Sequence, residues 1–191
     1  MVKKVKIVVL FSGNGSNLEN LIRHFHCKRF GDRETQIIPI TNRPNAKGIE
    51  RAKKYGINTT IIDHKEFESR ESFDAELVKV IKSFEPSLVV AAGFMRILTP
   101  VFTEQIRAIN LHPSLLPLFK GANAIEESFK SQMRVGGVTV HWISSEIDGG
   151  EIIDQGCVKK IREETLEEFQ QRVHTLEYTI LPENIKYILN L

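Results

Sequence analysis

Apolar positions along this chain follow two patterns that alternate. "VKIVVLF" (Val5–Phe11) is a continuous apolar run closed by a turn cluster, as expected of a strand covered on both faces. "QIIPIT", "NTTIID", "SLVVAAGF", "AINLH" and "VTVHWI" predict further strands. Between them the period lengthens to that of a helix. "RESFDAELVKVIKSF" puts Phe73, Leu77, Val80, Ile81 and Phe84 on one face, and "TLEEFQQRVHTLEYTIL" does the same with Leu166, Phe169, Val173, Leu176 and Ile180. Thr165 and Glu168 predict a capping box at the start of that last helix. Pro182 predicts a break or kink before "ENIKYILNL".

Strands alternating with helices predict an α/β fold, a mostly parallel twisted sheet flanked by helices on both faces. No repeat, low-complexity tract or linker interrupts the pattern, so the expectation is a single domain over residues 1–191. In such folds ligands gather at the carboxyl ends of the strands. The residues just after each strand are therefore the first candidates for chemistry.

Composition narrows the classes. Hydrophobic residues at 41% and charged residues at 26% are ordinary globular proportions. A net charge of +2 is too small for a non-specific nucleic-acid binder, although a small anion needs only local positive potential. Cys27 and Cys157 lack metal-like spacing and read as free thiols of a reducing compartment. "MVKKVKIVVLF" imitates a signal peptide, but its apolar run stops at Phe11 and no cleavage pattern follows. No run approaches the roughly 20 apolar residues of a membrane span. A soluble, cytoplasmic protein with neither nucleic-acid nor membrane partners is expected.

After the first strand, "FSGNGSNLENLI" is a glycine turn opening a helix. Gly13 and Gly15 can take positive φ, and the N–H groups of Gly15, Ser16 and Asn17 at a helix start suit a phosphate. Leu18 occupies the third glycine position of the dinucleotide fingerprint, which disfavours NAD. Ser16 and Glu19 also spell a capping box that would satisfy the helix start without a ligand, and Glu19 would mildly oppose an anion.

Later in the chain, Asn110 and His112 share one face of "AINLH", because side chains alternate along a strand, and Pro113 ends it. "SSEIDGGEII" follows "VTVHWI" and places Asp148 in a glycine-flanked loop at the same sheet edge. A carboxylate that reaches the imidazole would raise its proton affinity, and imidazolium and amide together could stabilise an oxyanion. His141 reads as a supporting residue. No metal-ligand cluster and no nucleophile-elbow serine is evident.

"FSGNGSNL", "AAGFMRIL", "NLHPSLLP" and "IDGG", in this order, resemble the phosphoribosylglycinamide formyltransferases, from Lys6 to about Leu181. The resemblance implies a Rossmann-like formyltransferase fold. It implies Asn110, His112 and Asp148 as catalytic residues. Gly15, Ser16 and Asn17 would hold the substrate phosphate, and Glu177 the ribose hydroxyls. Arg70, Met95, Arg96, Ile97 and Leu98 match folate-contacting positions, with Ser145, Glu146 and Ile147 closing the other side of the ring. The implied reaction passes the formyl group of 10-formyltetrahydrofolate, a co-substrate, to the amine of glycinamide ribonucleotide. No metal is implied, and the protein would be a monomer or homodimer. A formyltetrahydrofolate hydrolase and a non-catalytic phosphoribosyl- or folate-binding module are the alternatives. The chain departs from the family pattern at Ile125, where many relatives carry histidine, and in ending soon after the last helix.

Overall fold

The computed structural model describes residues 2–191. The chain divides into two compact units, the first running to Ala108 and including Leu189–Leu191, the second spanning Ile109–Ile188.

The first unit contains β1 (Lys3–Phe11), α1 (Ser16–Phe25), β2 (Lys28–Phe30), β3 (Arg33–Thr41), α2 (Gly48–Lys53), β4 (Thr60–Ile61), α3 (Arg70–Ser83), β5 (Leu88–Ala92) and α4 (Pro100–Thr103), with a 3-10 turn at His64–Glu66. β1 lies between β3 and β5 and is parallel to both, pairing Ile7 with Ile37 and Val8 with Val89. β4 joins β3 in parallel, whereas β2 returns on it antiparallel. Ile7 to Phe11 are fully buried, so β1 is covered on both faces as its unbroken apolar run predicts.

On α1, Leu18, Leu21, Ile22 and Phe25 form one buried stripe at helical spacing, and the helix packs on β3. Each such fully buried side chain contributes about 1.5–3 kcal/mol. On α3 the buried set is Phe73, Asp74, Leu77, Val78 and Ile81. The expected stripe is therefore shifted: Val80 and Phe84 are only half-buried, and a carboxylate lies among the apolar residues. "NTTIID" forms only the two-residue β4.

In the second unit, β6 (Ala108–His112, inside this unit from Ile109), β7 (Val135–Trp142) and β8 (Ile152–Lys159) are antiparallel, with α5 (Ala124–Lys130) and α6 (Leu166–Leu189) around them. The parallel pairings β1–β3, β1–β5 and β3–β4 lie in the first unit. β8 has no apolar alternation and is largely exposed, which is why its sequence did not announce a strand.

Thr165 and Glu168 exchange hydrogen bonds, the Thr165 N–H donating to Glu168 Oε2 at 2.7 Å, so the predicted capping box is present. The predicted break at Pro182 is absent, and α6 runs 24 residues through it. Proline removes one hydrogen bond from the ladder, at roughly 3 kcal/mol. That loss is offset where Pro182 is buried with Ile180, Leu181 and Ile185 on the inward face.

Candidate active site

Asn110 and His112 belong to the second unit and meet Asp148 there, as their shared face requires. Asp148 Oδ2 is 3.4 Å from His112 Nδ1. It also accepts the Gly121 N–H at 2.8 Å. The other oxygen, Oδ1, is 3.5 Å from Asn110 Nδ2 and 3.7 Å from His141 Nε2. His112 and His141 are buried and Asn110 and Asp148 nearly so.

The route by which Asp148 arrives differs from the expected one. β7 pairs antiparallel with β6, placing Trp142 opposite Ile109 and His141 opposite Asn110, so β7 ends away from His112. The loop 143–151 has to fold back over the sheet face. Its glycines permit the return: a Cβ on Gly150 would lie 1.7 Å from the Trp142 carbonyl oxygen. Asp148 itself is left-handed at φ 48°, a conformation aspartate tolerates better than most residues.

The hydrogen-bond directions are informative. His112 Nε2 donates to the Phe119 carbonyl at 2.8 Å while its Nδ1 faces Asp148. Both ring nitrogens thus face oxygen atoms, one a carbonyl and the other a carboxylate. Ser114 shapes that loop by donating to the Leu118 carbonyl at 2.6 Å, which turns the "PSLLP" segment back toward His112. His141 Nδ1 donates to the Trp142 carbonyl at 2.9 Å, leaving Nε2 to accept from Asn110 Nδ2 at 3.1 Å. Burial lowers the His141 pKa against the opposing pull of the Trp142 carbonyl and Asp148, in keeping with a neutral ring. His141 therefore aims the Asn110 amide N–H groups at itself and at Asp148. The 3.5 Å bond to Asp148 is the weaker, so this N–H is the one that an incoming oxygen would take over.

Glu177, also in this unit, is 4% exposed, an inward carboxylate as its helical position implies. Its oxygen accepts from His174 Nδ1 at 2.9 Å, and this hydrogen bond raises the His174 pKa against the effect of burial. Ser145, Glu146 and Ile147 lie on the exposed outer part of the 143–151 loop. Ile125 is half-buried on α5.

In the first unit, Gly15 is the residue that takes positive φ, at 70°, and caps α1 without any side-chain hydrogen bond. The predicted Ser16–Glu19 capping box does not form. Ser16 is already helical, and Glu19 instead pairs with Arg51 and with Arg23, the latter at 2.8 Å, and accepts from Tyr55. Burial pulls the Glu19 carboxyl upward, but the bonds from Arg51, Arg23 and Tyr55 prevail and hold it below its ordinary value. Its charge is thereby neutralised beside the helix start. Gly15 is irreplaceable on steric grounds as well, since a Cβ there would stand 2.5 Å from Gly48 Cα.

Arg70 opens α3 and is exposed. Met95 and Ile97 are 59% and 42% exposed, Leu98 is half-buried, and Arg96 lies 4.5 Å over the Phe73 ring. Exposed apolar side chains on a short segment suit a flat ring. Both cysteines are free. Among the described residues no cluster of histidine, cysteine and carboxylate could hold a metal, and no helix is long and apolar enough to cross a membrane.

His141 is the supporting residue the sequence suggests, with Asn110 as the group it supports, whereas sequence reasoning missed the Gly121 N–H and the Phe119 carbonyl. His141 shared a strand face with Thr139, but only the antiparallel register sets it opposite Asn110.

The formyl transferase family model matches residues 5–185. Phosphoribosylglycinamide formyltransferase of Escherichia coli is 38% identical over 180 residues, 93% of this chain and 84% of that protein. The trifunctional purine biosynthetic protein adenosine-3 of Gallus gallus is 38% identical over 97% of this chain, which spans only 18% of that relative's length. The crystal structure of phosphoribosylglycinamide formyltransferase from Campylobacter jejuni is 54% identical, covers 99% of this chain and 100% of its own, and superposes with a TM-score of 0.95.

Proposed function

As this chain belongs to the phosphoribosylglycinamide formyltransferase family, we propose that it transfers the formyl group of 10-formyltetrahydrofolate to the amine of glycinamide ribonucleotide in de novo purine biosynthesis. Family membership itself implies a folate-derived formyl donor. The observation that carries the fuller reading is the convergence of Asn110 and His112 on one carboxylate, Asp148, within 3.5 Å.

In this reading the amine attacks the formyl carbon and negative charge develops on the formyl oxygen. Protonated His112 and the Asn110 amide would stabilise that oxygen. Asp148 holds the proton on His112 and assists the passage of a second one, lost by the attacking amine, to the departing N10, directly or through one water. None of these steps calls on a metal or a covalent enzyme intermediate. Gly15, Ser16 and Asn17 would hold the phosphate, a role supported by the left-handed Gly15 and the neutralised Glu19. Glu177 would take the ribose hydroxyls, supported by its inward carboxylate.

Arg70 and Met95–Leu98 would contact the folate, supported by the exposed apolar Met95 and Ile97. We read residues 1–191 as one functional formyltransferase domain, since the family match runs from residue 5 to residue 185, and we place its reaction in the cytoplasm. The test is release of tetrahydrofolate with and without glycinamide ribonucleotide. Release that requires the nucleotide is expected. Release indifferent to it would make the protein a hydrolase, and binding of both ligands without release would make it a sensor.

A further inference from the structure

Asp74 is the one fully buried carboxylate of α3, on a face otherwise apolar, and the chemistry above does not use it. Leaving a carboxylate at 0% exposure is costly unless it has a specific task. Its Oδ2 accepts two hydrogen bonds from one residue, the Thr99 N–H at 2.6 Å and the Thr99 hydroxyl at 2.7 Å. Thr99 closes the segment that begins at Gly93 and carries Met95, Arg96, Ile97 and Leu98.

The other end of this segment is tied just as firmly. Ser12, 1% exposed, accepts the Met95 N–H on its hydroxyl at 2.7 Å, and its own N–H donates to the Gly93 carbonyl at 3.0 Å. Because Met95 supplies a donor, the single Ser12 hydroxyl proton goes to Asn42 Oδ1, at 2.6 Å. The segment between the two anchors has almost no regular structure, and its Met95 and Ile97 side chains stand out in solvent. Arg96 adds a third hold by stacking on Phe73, the neighbour of Asp74. Exposed apolar side chains on an irregular segment keep a defined position only if the backbone beneath them is fixed.

We propose that Asp74, through Thr99, is a positioning residue for the formyl-donor site, fixing the carboxyl-side end of the Gly93–Thr99 segment while Ser12 fixes the amino-side end. This rests on the reading of that segment as the folate contact. Replacing the carboxyl group weakens the two hydrogen bonds from Thr99 and frees the segment, so donor binding suffers while the chemistry of the second unit does not.

The experiment measures equilibrium binding of tetrahydrofolate and of glycinamide ribonucleotide, and amide hydrogen exchange at Met95–Thr99, in Asp74→Asn and Thr99→Val. For Asp74→Asn, tetrahydrofolate affinity and the KM for the formyl donor are each expected to worsen about tenfold. Nucleotide affinity and kcat should stay within about twofold, and exchange at Thr99 should quicken. Thr99→Val, which keeps the N–H and loses only the hydroxyl, should show the same pattern at about threefold, while Thr99→Ser should restore it. If Asp74→Asn does not fold, the Thr99 pair carries the test. Unchanged donor binding in Asp74→Asn, or in Thr99→Val where that variant alone folds, would overturn the proposal and leave the function standing. Wild-type protein that binds nucleotide but no tetrahydrofolate would overturn the functional reading and this proposal with it.

Discussion

At the ends of β1 and β3 in the first unit, Ser12 and Asn42 are neutral: Ser12 fastens the Met95 N–H and the Gly93 carbonyl, and its hydroxyl donates to the Asn42 side chain. Around Asn110 of β6 in the second unit, His112, His141 and Asp148 are ionisable; each is held by one backbone bond of 2.8–2.9 Å, and together with Asn110 they lie 3.1–3.7 Å from one another. The difference separates holding from reacting. A hydroxyl and an amide keep the same hydrogen bonds across the physiological pH range, so they suit a fixed frame. A carboxylate between two imidazoles can move a proton, and its arrangement depends on which group carries it.

Asp148→Asn should break the second region while sparing the first. Turnover is expected to fall on the order of 10²–10³, with phosphate-ester affinity and the circular dichroism spectrum retained. A drop of less than tenfold in steady-state kcat would erase the distinction between the regions. Gly15→Ala tests the first region by shape alone. Alanine would take an unfavourable φ and press on the Gly48 backbone, so a loss of roughly 1–3 kcal/mol in urea denaturation is expected, together with weaker nucleotide binding.

Lys160→Met sharpens the comparison, because it removes a charge from the second unit that has no part in the chemistry. The buried ammonium donates to the Ser128 carbonyl, to the Phe129 and Ser131 carbonyls at 3.1 and 3.0 Å, and to the Ser131 hydroxyl at 3.2 Å. It closes the carboxyl end of α5 much as a capping residue would. Stability should fall by about 1–3 kcal/mol, measured by urea denaturation, with kcat per folded molecule unchanged.

The smallest effect concerns pH. The hydrogen bond to Glu177 raises the His174 pKa, so the stability it adds is complete below the unfolded value of about 6.5 and is lost as pH rises through the folded value. His141 has the opposite sign: its pKa is lowered by burial, so its contribution is present above the unfolded value and is lost as pH falls through the folded one. His174→Gln should therefore be less stable than wild type at pH 5.5, with the gap closing as pH passes above neutrality. A gap that widens with pH in thermal melts would refute the pairing.

Some of this was legible in the residues. The unbroken apolar run of β1, the two-residue spacing of Asn110 and His112, and the Thr165–Glu168 cap each depend on neighbours a few positions away, which a sequence displays directly. Equally local signals misled at Ser16–Glu19 and at Pro182. Arg51, more than thirty positions from Glu19, captured the first, and burial of the inward face of α6 outweighed the second. Asp74 reads as an ordinary polar position of an amphipathic helix until Thr99 is found beside it.

The sequence by itself determined the central extended and helical segments, though not β8, and that an amide and an imidazole project together where a strand ends. Those outcomes follow from side-chain size, polarity and backbone preference over a few residues. Only the tertiary structure decided that β7 runs against β6, that the Asp148 loop folds back to His112, and that His141 rather than solvent orients Asn110. Each of those depends on which distant groups find a partner once water is excluded, a choice made by packing and hydrogen-bond satisfaction across the fold and not by any single stretch of chain.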